Sequence, residues 1–88
     1  MMHDLDGRVK EFGSLFYGRL DTELLQDAIG YVDHNERGLA FETICDHLSE
    51  YDIPITEEEY SIALSLCDDM KMDINDISIV HMKKLVSK

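Results

Sequence analysis

The segment Asp33-His34-Asn35-Glu36-Arg37-Gly38 opens like a calcium-binding loop, with side-chain oxygens at the first and third positions and glycine at the sixth. Two later positions break the pattern. Arg37 puts a cation where the fifth position should donate oxygen, and Ile44 stands at the twelfth, where a bidentate carboxylate is needed. Cys45 and His47 could begin a zinc site, but neither Cys67, His34 nor His81 completes a ligand spacing, so no metal is expected. As a nucleophile and base the same pair is poorly placed, because residues two apart on a helix point to different sides and acidic surroundings disfavour a thiolate. Cys45 therefore reads as a buried, inert thiol. Glu58 with Glu59, or Asp68 with Asp69, could supply a general acid and base, yet adjacent acids on a helix are ordinarily a solvated face. With no glycine-rich phosphate loop and no serine elbow, neither enzymatic activity nor a cofactor is expected.

Composition points from chemistry to binding. A chain of 88 residues that is 44% hydrophobic and 31% charged supports one modest core, hence a single helical domain over 1–88. Nineteen acidic residues against eight basic ones give a formal charge of -11, which argues against direct contact with nucleic acid or an anionic membrane. A cationic protein is the natural complement. Cys45 and Cys67 are too few for a disulfide framework and lie in apolar-periodic stretches, as expected of thiols in a reducing compartment. The first twelve residues mix both charge signs without an apolar run, and no stretch approaches membrane-spanning length, so a cytoplasmic location is expected.

The elements that must position these residues are helical. Leu5, Val9, Phe12 and Phe16 fall on one face of a helix over roughly 3–16. Asp21 is suited to cap a second helix running to about His34, with Leu20 and Leu25 as a hydrophobic staple. Its inward side is Leu24, Leu25, Ala28, Ile29 and Val32, and Gly30 is expected to admit a close neighbour. Asn35 is the expected N-cap of a third helix, whose core face reads Leu39, Ala40, Ile44, Leu48 and Tyr51. Pro54 ends that helix. Thr56 and Glu59 then form a T-x-x-E capping box with Ile55 and Tyr60 as a staple, and Tyr60, Ala63, Leu64 and Cys67 face inward. Asp73 is expected to start a fifth helix through Ile74, Ile77, Val80 and Leu85. Short connections and the absence of strand periodicity make this a compact all-α bundle of about five helices.

Charge is distributed unevenly on that bundle. From Leu20 to Met70 there are fourteen acidic residues and one basic residue, Arg37. Glu42, Asp46 and Glu50 stand at i, i+4 and i+8 of the third helix, where each like-charge pair costs about 0.2–0.5 kcal/mol in an isolated helix. Acidity of this kind serves solubility in the ordinary case. Concentrated without compensation, it also suits rapid capture of a basic surface.

The string His34-Asn35-Glu36-x-Gly38-Leu39-Ala40-x-Glu42-x-x-Cys45-Asp46-x-Leu48-x-Glu50 resembles the MafI family of immunity proteins, the cytosolic antidotes to secreted polymorphic toxins of bacterial competition systems. Ile55 and Glu58-Glu59-Tyr60 continue the resemblance, and Glu11-Phe12-Gly13 and Gly18-Arg19-Leu20-Asp21 precede it. His47 departs from the glutamine expected in many relatives, and 71–88 has no counterpart. The resemblance implies neutralisation of a toxin C-terminal domain, often a nuclease such as an EndoU-type RNase, by tight binding. The expected partner is thus a basic nuclease held 1:1 by a monomer, with no direct nucleic acid or membrane contact. The expected contact residues are Asp33, Glu36, Phe41, Glu42, Asp46, Glu50, Asp52 and Glu58, with Tyr51 as a further aromatic anchor. Phe41 is either an exposed anchor or a second packing contact. A different class, an acidic helical adaptor for a basic segment of a resident protein, fits the composition equally well.

Overall fold

The computed structural model describes residues 4–72 and 77–86, and within them the helices that begin at Leu5, Thr22 and Glu57 each start from a side-chain cap. The elements are α1 (Leu5–Ser14), α2 (Thr22–Gly30), a 3-10 turn (Tyr31–His34), α3 (Arg37–Glu50), α4 (Glu57–Asp69) and α5 (Ile77–Leu85). Among the described residues there are no strands, only two isolated backbone bridges, and the protein is a small all-α domain. Asp4 caps α1 by accepting from the Gly7 N–H, so the helix begins at Leu5 and its regular part stops at Ser14 rather than Phe16. Asp21 accepts from the N–H groups of Glu23 and Leu24, as expected. The capping box of α4 is complete, with Thr56 Oγ1 accepting from Glu59 N at 3.0 Å and Glu59 Oε1 accepting from Thr56 N at 2.9 Å.

Three helical segments end alike. After the 3-10 turn, after α3 and after α4, the residues Asn35, Asp52 and Lys71 adopt left-handed φ values of 60°, 50° and 58°. At each end the following N–H reaches back five residues: Glu36 to Tyr31 O, Ile53 to Leu48 O and Met72 to Cys67 O. This is the Schellman arrangement, which satisfies carbonyls that the helix leaves unpaired. Asn35 is accordingly not the N-cap of α3 but the left-handed stop before it, and Glu36 occupies the cap position without a side-chain hydrogen bond. Helix α2 itself ends at Gly30, and the 3-10 turn fills the interval to His34.

Helix α3 packs against α1, α2 and α5, and its buried residues are Ala40, Phe41, Ile44, Cys45 and Leu48. The core face is rotated from the expected one. Leu39 is 45% exposed and Tyr51 is 53% exposed, whereas Phe41 is wholly buried. Phe41 is drawn inward by an aromatic cluster, with its ring 5.5 Å from Phe12, which in turn meets Phe16 edge-on at 5.1 Å. The close helix approach lies at Gly13, where an added Cβ would meet Ile29 and Ile44 atoms at 3.0 Å. Gly30 has open space around it and does not serve that purpose.

On α4, Leu66 joins Ala63 and Cys67 in the core, while Tyr60 and Leu64 pack only at its edge. On α5 the buried residues are Ile79, Met82 and Leu85, and Val80 is 48% exposed, contrary to expectation. The expected start at Asp73 and the placement of Ile74 lie outside the described residues, as does the Ile77 side chain. The proline link returns to this helix, with Ile55 N–H donating to Leu85 O at 3.0 Å. Both cysteines are buried thiols. No described helix is long and apolar enough to cross a membrane.

Candidate functional site

The rotation of α3 determines what its outward face carries. With Ala40, Phe41, Ile44, Cys45 and Leu48 turned inward, a 3.6-residue period leaves Leu39, Glu42, Thr43, Asp46 and Glu50 on the opposite side. Asp46 and Glu50 are exposed, and Glu42 is half-buried. The carboxylate row read from the sequence is therefore real, with Leu39 as an apolar member at its start. Phe41 is removed from the contact set, because a fully buried ring is inaccessible to a partner. Asp52 and Glu58 are exposed, and Asp52 is the left-handed residue that closes α3. Glu36 is exposed at the start of the same helix.

Basic residues account for the contrast between this face and the rest of the surface. Four ion pairs are described: Arg8 with Asp69, Lys10 with Asp33, Arg19 with Glu59, and Arg37 with Asp6. They engage every lysine and arginine between residues 4 and 70. Asp33 is thus partnered within the chain, at 2.8 Å from Lys10 Nζ. The hydrogen bond from Lys10, reinforced by its charge, holds the Asp33 carboxyl below its ordinary range and raises Lys10 in turn. Glu42, Glu50, Asp52 and Glu58 enter none of the four.

The Arg19–Glu59 pair is the best enclosed, with the Glu59 side chain 12% exposed. Arg19 Nη1 donates to Glu59 Oε1 and Nη2 to Oε2, and Arg19 also donates to the carbonyls of Leu15 and Pro54. Its guanidinium carbon lies 4.9 Å from the centre of the Phe16 ring, a cation–π contact. The hydrogen bonds from Arg19 lower the Glu59 carboxyl against the opposing effect of burial, and Arg19 is raised by the same bonds. Two segments far apart in sequence, Gly18-Arg19-Leu20-Asp21 and Glu58-Glu59-Tyr60, meet through this contact. Their inner residues have a structural task.

A groove of about 490 Å³ opens where the start of α2 faces the end of α3. Leu20, Leu24, Ile53 and Tyr51 form its apolar walls, and Asp21, Glu23 and Asp27 its acidic rim. Sequence reasoning placed Tyr51 in the core or at an interface and passed over Glu23 and Asp27. Their i, i+4 spacing on the polar side of α2 was the available signal, but only the packing of α2 on α3 brings them to Tyr51. Asp27 also borders a second depression with Tyr31 and His34, so this carboxylate stands between two depressions, one lined by the exposed Tyr51 and the other by the exposed Tyr31.

The described residues contain no group of three or more histidine, cysteine, aspartate or glutamate side chains able to hold a metal ion. The remnant of a calcium loop at 33–38 is instead spent on the 3-10 turn, its left-handed stop and the first residues of α3. Comparison of the chain with family models, curated proteins and solved structures gave no match.

Proposed function

We propose that the protein is an immunity protein that neutralises a toxin domain by binding it, the toxin being a basic nuclease such as an EndoU-type RNase. The observation that carries the reading is the imbalance of surface charge. Intramolecular pairs engage every cation between residues 4 and 70, while Glu42, Glu50, Asp52 and Glu58 stand outside those pairs and Asp46 and Glu50 face outward from α3. An acidic field of this sort accelerates encounter with a surface built to hold phosphates, and its like-charge repulsion is relieved when such a surface arrives. The family resemblance of the segment 34–60 supplies the toxin. Inhibition then follows from occlusion: carboxylates of α3 and its flanks pair with the lysines and arginines that the toxin needs for RNA.

The test is affinity capture of the tagged protein from its native cell at low and at raised salt, followed by expression of each retained domain alone and together with this protein. The reading requires one basic domain that kills alone and ceases to kill when coexpressed. Retention of a harmless resident protein in its place would assign the acidic face to an adaptor.

A further inference from the structure

The groove between α2 and α3 differs from the carboxylate row in having depth, apolar walls and an exposed aromatic ring. We infer that this groove is the anchoring pocket for an arginine on a projecting segment of the basic partner. The inference rests on the binding function proposed above and moves its centre from α3 to the start of α2. Tyr51, Leu24 and Ile53 offer apolar surface to the hydrocarbon stem and a ring to the guanidinium plane. Glu23 and Asp27 offer carboxylates at the rim, and neither enters any of the described ion pairs. Arg19, the cation of the groove wall, is already bound to Glu59 and to two backbone carbonyls. The groove is therefore acidic in effect despite that arginine.

The protein shows the same chemistry once within itself. Arg19 lies against the Phe16 ring while its nitrogens meet the Glu59 carboxylate. An arginine entering the groove finds the corresponding set in Tyr51 with Glu23 and Asp27. Guanidinium suits the site better than an ammonium, since it is planar, stacks on aromatic faces and is more weakly hydrated. Tyrosine and arginine are also the residue types that dominate the energetic centres of protein interfaces.

The experiment is a titration of the isotope-labelled full chain, followed by amide chemical shifts, with a blocked glycine–arginine peptide at low salt. The same peptide with citrulline in place of arginine serves as the uncharged control. Shifts should concentrate at Glu23, Leu24, Asp27, Tyr51 and Ile53, and the citrulline peptide should bind at least fivefold more weakly. Tyr51→Ala and Asp27→Asn should each raise the Kd at least threefold, whereas Asp68→Asn, exposed on α4 away from the groove, should change it by less than twofold. Because Tyr51 and Asp27 are exposed, circular dichroism should show both variants folded. Shifts spread along the α3 row, or indifference to Tyr51→Ala, would overturn the inference, as would a dimer in sedimentation that covers the groove. Peptide binding by a protein that rescues no toxin would retain the groove and remove the toxin reading. Rescue undiminished by both groove substitutions would do the reverse.

Discussion

The outward face of α3 and the groove at the start of α2 carry the same charge on different relief. Along α3 the carboxylates of Glu42, Asp46 and Glu50 repeat on a convex helical surface, with Leu39 as its apolar member. In the groove, Glu23 and Asp27 border a concavity with an aromatic wall. Convex charge acts over distance and is screened by salt, so it governs the rate of encounter. A pocket with apolar walls holds what has arrived and governs the rate of departure. A surface with both can capture a basic partner quickly and release it slowly, which the proposed immunity function requires.

The most severe substitution separates what lies under the row from what belongs to it. Phe41→Ala removes a ring that touches Phe12 in the centre of the bundle, and we expect a loss of about 3–5 kcal/mol in urea unfolding. Loss of partner binding without loss of stability would return Phe41 to the interface. Next in size is Glu59→Ala, which strands the Arg19 guanidinium and opens the capping box of α4. Because Arg19 is about one-third exposed and solvent screens the pair, the expected cost is about 1–2 kcal/mol. Glu59 has a lowered carboxyl, so its ionic contribution is fully present above the ordinary glutamate value of 4.5 and is lost as pH falls through the lower folded value. The stability gap between wild type and Glu59→Ala should therefore narrow in acid below 4.5.

Of three further variants, the first acts on the comparison directly. Reversal of Glu42 and Asp46 to lysine should slow association with the basic partner by about tenfold at low salt and leave dissociation nearly unchanged, as stopped-flow kinetics would show. A change confined to dissociation would make the row, not the groove, the holding site. Asp52→Gly relieves the left-handed strain at the end of α3, and thermal unfolding should show a gain of about 0.5–1 kcal/mol. The smallest effect belongs to Gly30→Ala. With no atom near the added methyl and a right-handed backbone, it should stabilise α2 by about 0.5 kcal/mol and leave peptide binding in the groove unaltered.

The sequence made the helix starts legible to different degrees. Asp21 and the Thr56–Glu59 box were readable because each cap is a contact between residues three or fewer apart, fixed by local geometry. Asn35 misled for the same reason: asparagine suits both an N-cap and a left-handed stop, and the choice depends on the 3-10 turn before it. The face of α3 was harder still. Apolar positions 40, 41, 44, 45, 48 and 51 fall within an arc of about 140° at 100° per residue, with Leu39 outside it, so periodicity outlined a face but did not decide that Phe41 would be buried and Tyr51 exposed. The carboxylate spacing at 42, 46 and 50 was visible, but not which apolar residue would stand among them.

By itself the sequence determined the all-helical class, the breaks at Asp21 and Pro54, the capping box and the acidic excess of the middle of the chain, since these depend on neighbours within a few residues or on composition. Tertiary structure alone decided that Phe41 is inside and Tyr51 and Leu39 outside, and that Arg19 meets Glu59 across forty positions of sequence. It also decided that Tyr51 shares a groove with Glu23 and Asp27. These outcomes follow from packing. The rotation of each helix is set by the apolar surfaces that approach it from the others, here the Phe12 and Phe16 rings of α1 and its turn, and that approach has no period in the chain.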